Sequence, residues 1–215
     1  MLRPLSTVAL TSLALASSAS AGLWVVGHGD DSHFYSVADA VGSAVVSNGD
    51  TIRVASGGYI GDFDTGDKVL SFEPGNSPGI VDVYGSMYVR PNSTVNFEIG
   101  GFNSGLLAGN PDFDQFIVTG NVNYQGTLAV RLTNSFSPSL GDSWALIQAG
   151  GTISFSGITS LPALSGGLSW DVQVVGGSSE FGASGSSLVV SVVPAPGAAA
   201  LIGLAGLATT RRRRA

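Results

Sequence analysis

Two stretches with one cadence constrain this chain more than any other feature: "VYGSMYVRPNSTVNFEI" from Val83 and "VTGNVNYQGTLAVRL" from Val118. Each runs strand, glycine, strand, turn, threonine, strand, and the second turn is two residues shorter. Successive side chains of a strand alternate between faces, so Val95, Phe97 and Ile99 share one side, as do Leu128, Val130 and Leu132. A repeated unit with one apolar side cannot bury that side alone and needs a stacked neighbour. The offset of 35 residues between Gly85 and Gly120 is inflated by an insertion from Gly100 to Asp114. A single chance likeness of two hairpins is the competing reading.

The rest of the chain agrees with short strands and tight turns. Charged residues make up 11%, glycine accounts for 31 of 215 residues, and there is no cysteine. That balance predicts an all-β chain and excludes disulfides and thiolate metal sites. Leu23 to Val26 is apolar and leads into a polar loop, Gly27 to His33. Val37, Ala38, Ala40, Val41, Ala44 and Val45 recur at helical spacing behind the cap Ser36, which predicts one short helix over 36–47 ending at Asn48-Gly49. Thr51 to Val54 alternates as a strand and stops at Ser56-Gly57-Gly58. Near the other end Leu168 to Val175 and Ser187 to Val193 alternate and are expected to pair as closing strands.

The order of an Ala-rich helix, "NGDTIRVASGGY" and turn-punctuated strands resembles the N-terminal cap and first coil of right-handed parallel β-helix proteins such as the pectate-lyase-like group. "PGNSPGIVDVYGSMYV", "STVNFEIGG", "DFDQFIVTGNVNYQGTLAVRL" and "FSPSLGDSWALIQAGG", across roughly residues 69–192, resemble autotransporter-passenger-type β-helix modules. This resemblance implies an architecture and brings no catalytic residue with it. The expected fold is therefore a right-handed parallel β-helix, or β-solenoid-like body, with a short N-terminal capping helix. A signal helix would precede it and a C-terminal apolar helix would follow.

The two ends predict export. Met1 to Ala21 has a positive start at Arg3, an apolar run from Val8 to Ala16, and Ala19-Ser20-Ala21 as a small-residue cleavage site, so it reads as a secretory signal cut before Gly22. At the far end Val193-Pro194-Ala195-Pro196 precedes an apolar run, Gly197 to Thr210, and then Arg211, Arg212, Arg213 and Arg214. Fourteen helical residues span roughly 21 Å, short of the ~30 Å hydrocarbon core. The arginines extend the reach by snorkelling and set the C-terminus on the cytoplasmic side. A buried terminal helix with a solvated basic tail is the competing reading.

Pro motif, apolar span and arginine cluster together resemble the PEP-CTERM sorting segment of exported proteins in Gram-negative bacteria, with Ala195 where that family usually has Glu. The resemblance covers about 23 residues. It implies processing by an exosortase, a membrane protease, and an association with extracellular polysaccharide. The chain then divides into a signal peptide (1–21), an exported body (22–192) and a sorting segment (193–215). Once both ends leave, the body keeps Arg53, Lys68, Arg90 and Arg131 against fifteen acids, a net charge of −11. Nucleic acid is a poor partner for such a surface.

Candidate chemistry inside the body is sparse. Gly75-Asn76-Ser77-Pro78-Gly79 matches G-x-S-x-G, but Pro78 has no N–H for an oxyanion hole and the histidines, His28 and His33, lie upstream, so the stretch reads as turns between strands. His28 and His33 with Asp30 and Asp31 are of the right types for a metal, yet nothing in the spacing fixes a geometry. Asp62, Asp64 and Asp67 offer carboxylates of the kind Ca²⁺ takes, without the ligand pattern of an EF-hand, and Asp112 and Asp114 invite the same remark. The four body cations, from which a lyase would draw its base, are scattered, and adjacent Asp67 and Lys68 point to opposite faces if they lie on a strand. Asn92-Ser93-Thr94 is a glycosylation sequon that reads as a turn in a bacterial chain.

The expectation is thus a non-enzymatic exported surface or matrix protein, structural or adhesive, with no cofactor and no metal. Its partners would be the secretion machinery, an exosortase-type protease, the inner membrane as a transient anchor, and extracellular polysaccharide. A secreted carbohydrate-active enzyme or glycan-binding module on the same scaffold is the alternative, and a permanently anchored inner-membrane protein is a third reading.

Overall fold

The computed structural model of the chain describes residues 20–75, 78–105, 110–178 and 180–197. In chain order the elements are β1 (Leu23–Val26), α1 (Val37–Gly42), β2 (Thr51–Val54), β3 (Gly57–Ile60), β4 (Phe63–Asp64), β5 (Ser71–Pro74), β6 (Ile80–Tyr84), β7 (Met87–Val89) and β8 (Thr94–Ile99). They continue with β9 (Gln115–Val118), β10 (Val122–Tyr124), β11 (Thr127–Leu132), β12 (Ser143–Ala149), β13 (Ile153–Phe155), β14 (Ile158–Ser160), β15 (Leu168–Ser178) and β16 (Gly182–Pro194).

The strands form three sheets, in the orders β1-β2-β5-β8-β11-β14, β15-β16-β12-β9-β6-β3 and β13-β10-β7-β4. From β2 to β14 the chain visits the three sheets in rotation, and each strand pairs in parallel with the one three places later. Each sheet has to bury its apolar face against another element. Alternation supplies that face: Ile52, Phe72, Val95 and Leu128 sit opposite one another along the first sheet, all fully buried. Phe63, Met87, Val122 and Ile153 do the same along the third. Among the described residues the buried core runs from Val26 to Val192.

The two related stretches lie side by side. Met87 faces Val122 at an offset of 35, and Thr94 faces Thr127 at an offset of 33. The two-residue difference falls in the turn, 90–93 in the first and 125–126 in the second. A third copy follows in the same register: Val122 faces Ile153 and Thr127 faces Ile158. The insertion 100–114 occupies the corner between β8 and β9, where the corresponding corner between β5 and β6 is only 75–79. Its described parts are tied by Asp112, whose Oδ2 accepts from Asn103 N at 3.0 Å.

Two expectations are corrected in extent. The helix stops at Gly42 instead of reaching residue 47. Ser36 caps it as expected, accepting from Asp39 N at 3.0 Å. Beyond Gly42, however, Lys68 Nζ takes the carbonyls of Ser43 and Val46, at 2.7 and 2.8 Å, and turns the chain towards β2. The closing strands pair as expected but are longer, β15 reaching Ser178 and β16 starting at Gly182; they run antiparallel, and β16 is also antiparallel to β12. The boundary at 192/193 falls inside β16. The signal segment up to Ala19 and the apolar run with its arginines from residue 198 lie outside the described residues.

Candidate functional site: the two ends of the body

The residues singled out in the sequence lie at the two ends of the body, and the described part of each end is held against that body. At the start, Gly22 N donates to Asp50 Oδ1 at 2.7 Å, and Gly22 O accepts from Thr51 N at 2.8 Å, which carries the β1–β2 ladder back to the expected cleavage point. Asp50 is only 5% exposed. Its Oδ2 also accepts from Ser47 N at 2.9 Å and Trp24 Nε1 at 2.8 Å. The bonds from Ser47 N, Gly22 N and the Trp24 indole hold its carboxyl below the usual carboxylate range, with a smaller pull from Lys68.

At the other end Val193 and Pro194 are the last residues of β16, opposite Ser169 and Leu168. Ala195 N makes a final bond to Gly167 O at 2.7 Å. Pro194, Pro196 and Gly197 are exposed, so the motif leaves the sheet at the surface. Proline has no N–H and cannot prolong a ladder, which accounts for the strand ending here. Ala21 lies among the described residues, whereas Ala19 and Arg211 to Arg214 lie outside them. Among the described residues no helix is long and apolar enough to cross a membrane.

The side chains between the ends are largely engaged with one another. Asp64 Oδ1 accepts from Arg90 Nε at 2.9 Å and from Gly66 N at 2.9 Å, and the Arg90 bond holds its carboxyl low. Asp62 Oδ1 accepts from Ser86 N at 2.7 Å, and Asp67 stands exposed outside this pair. Arg53 pairs with Glu73 at 2.9 Å, and Arg131 with Glu98, each opposite its partner in the parallel register. With Lys68 bound to two carbonyls, all four body cations have partners.

The two histidines serve different neighbours. His33 Nδ1 accepts from Val25 N at 3.0 Å, and its ring meets Trp24 edge-on. His28 packs against Tyr59 and lines an open cleft of about 490 Å³ with Asp30, Asp31, Ser32, Arg53 and Ser56. Among the described residues no three His, Cys, Asp or Glu side chains stand together as a metal-holding group.

Asp114 and Asp112 also part company. Asp114 is 1% exposed and bridges two corners, accepting from Gly79 N at Oδ1 and Glu98 N at Oδ2, both at 2.8 Å. Burial pushes its carboxyl up to about 7, Glu98 and Glu73 add to the rise, and the two backbone bonds oppose it. Through Gly79 it holds the end of the G-x-S-x-G stretch, whose described residues Gly75, Pro78 and Gly79 lie between β5 and β6; Asn76 and Ser77 are outside the described residues. Sequence reasoning also passes over Gln148, a buried side chain on β12 that accepts from Ser178 Oγ at 2.7 Å and ties the end of β15 to β12 within the second sheet.

Comparison with protein-family models and with curated proteins finds no match for the chain.

Proposed function

We propose that this chain is an exported, non-enzymatic surface or matrix protein whose body is a right-handed parallel β-helix and whose C-terminal segment is a sorting signal cut by an exosortase-type protease. The observation that carries the reading is the rotation of the chain through three parallel sheets from β2 to β14, closed by β16, whose last residues begin the Pro motif. Parallel crossovers are right-handed in nearly all proteins, which sets the hand. A structural or adhesive role is supported by the outward row Thr51, Ser71, Thr94 and Thr127, one hydroxyl on each of the four central strands of the first sheet. It is supported again by the way the acids and cations of the body serve one another.

The secretion machinery would read Arg3 and the apolar run after it. The inner membrane would hold Gly197 to Ala208 until cleavage, with Arg211 to Arg214 fixing topology. Replacing the four arginines by glutamate and following localisation tests this; unchanged surface display would count against the sorting role.

One observation favours a glycan-binding activity on the same scaffold: the cleft beside His28 presents Asp30, Asp31, Arg53 and two serines, a set suited to hydroxyls and sugar carboxylates. A glycan array and a polysaccharide-degradation screen separate the readings, since binding without turnover supports a lectin-like module and turnover sinks the structural reading.

A further inference from the structure

The contact between Gly22 and Asp50 joins the expected cleavage point to a buried carboxylate. Asp50 Oδ2 is filled by Trp24 Nε1 and Ser47 N, while Oδ1 has Gly22 N as its hydrogen-bond donor among the described residues. Asp50 is itself fixed at the head of β2, its N donating to Ser47 O and its carbonyl accepting from Ser71 N. A Cβ at residue 22 would stand 3.0 Å from Trp24 Nε1 and 3.2 Å from Asp50 Oδ1, so glycine allows the closest approach. Beside the contact an open cleft of about 210 Å³ is lined by Ser20, Ala21, Gly22, Val45 and Asn48. That space provides water for the remaining hydrogens of an ammonium group.

We propose that Asp50 is the receptor for the α-ammonium group created by cleavage before Gly22, so that processing turns an amide hydrogen bond into an ion pair that locks β1 onto β2. The proposal rests on the signal-peptide reading above. Hydrolysis breaks the Ala21–Gly22 bond, water gives its hydroxyl to the Ala21 carbonyl carbon and a proton to Gly22 N, and the amine takes a second proton at neutral pH. The nitrogen already stands at bonding distance, so no rearrangement of the body is required.

The lock matters because β1 is the outermost strand of the first sheet: among the described residues β2 is its one strand neighbour, and its other edge meets only the short His33–Phe34 segment, through Val25 O and the Val26–Phe34 bridge. Lys68 is the charged group facing Asp50 from the β4–β5 segment, and its Nζ is occupied by Ser43 O and Val46 O. His33 packs edge-on against Trp24, with ring centroids 5.5 Å apart. The new ammonium therefore meets one carboxylate whose other oxygen is already satisfied. The folded pKa of the amine rises above its unfolded value. Its stabilisation is full below the unfolded pKa of about 8 and is lost as pH rises through the folded one.

The test compares the chain starting at Gly22 with a free amine against the same chain Nα-acetylated, which keeps the N–H and lacks the charge. A chain from Gly22 contains the whole core. Urea unfolding at pH 6.5 is expected to give an unfolding constant about tenfold smaller for the free amine. The advantage should vanish above the folded pKa and in Asp50→Asn. Equal stability at pH 6.5, or an advantage kept in Asp50→Asn, overturns the proposal. Should Asp50→Asn not fold, an NMR titration of the Gly22 amine in the unsubstituted chain decides: a raised pKa supports the ion pair, and an unshifted or lowered one overturns it. Sequencing the N-terminus of the exported protein tests the underlying reading separately, because a start other than Gly22 fails that reading without changing the pair of stabilities.

Discussion

Gly157 packs so closely on Gly126 that a Cβ at residue 157 would stand 2.2 Å from the Gly126 carbonyl oxygen. Gly126 has the same relation to the previous turn, where a Cβ would stand 2.4 Å from Ser93 O. At this corner, between the third and first sheets, successive turns stack backbone on backbone. The glycines of the repeat are thus a steric requirement of its spacing.

Gly126→Ala should therefore destabilise the body by about 1–3 kcal/mol, the usual cost of overpacking. Gly29→Ala, where nothing lies within 4 Å of the added carbon, should stay within about 0.5 kcal/mol. Urea unfolding of the two variants checks the contrast, and equal effects would contradict backbone stacking at the corner.

Asp114 gives the body a pH dependence of definite sign. Its carboxyl is raised to about 7 in the fold, so the folded state binds a proton that the unfolded state releases. Stability from this group is full below the unfolded pKa near 3.8, declines as pH rises, and is lost above about 7. Asp114→Asn should flatten that decline, which for one group approaches about 1.4 kcal/mol per pH unit. Unfolding curves at pH 4, 5.5 and 7 measure it; a slope unchanged in the variant would contradict the assignment.

The repeat is legible because Gly85, Gly120, Thr94 and Thr127 stand at matching places, and the structure brings those stretches into register. The third copy uses the same spacing, with Gly151, Phe155 and Gly157 in place of Gly120, Tyr124 and Gly126. It is harder to see because β14 has exposed side chains and little alternation. Helical spacing through Val45 misleads because the competitor, Lys68, comes from more than twenty residues away. The burial of Asp50 and Asp114 has no local signal at all: their donors include Gly22 and Gly79, 28 and 35 residues off.

Removing Lys68 should cost more than removing Arg90. Lys68→Met leaves the carbonyls of Ser43 and Val46 without their donor, a loss of roughly 1–3 kcal/mol. Arg90→Met breaks a half-exposed ion pair with Asp64, worth under about 1 kcal/mol. Thermal unfolding ranks the two, and the reverse order would show that the helix-to-strand turn is held by something else.

Intact-mass spectrometry of the protein recovered from its host reads both processing events at once. The expected product begins at Gly22 and ends within or next to Val193 to Pro196. A mass matching the full chain from Met1 to Ala215 would overturn both.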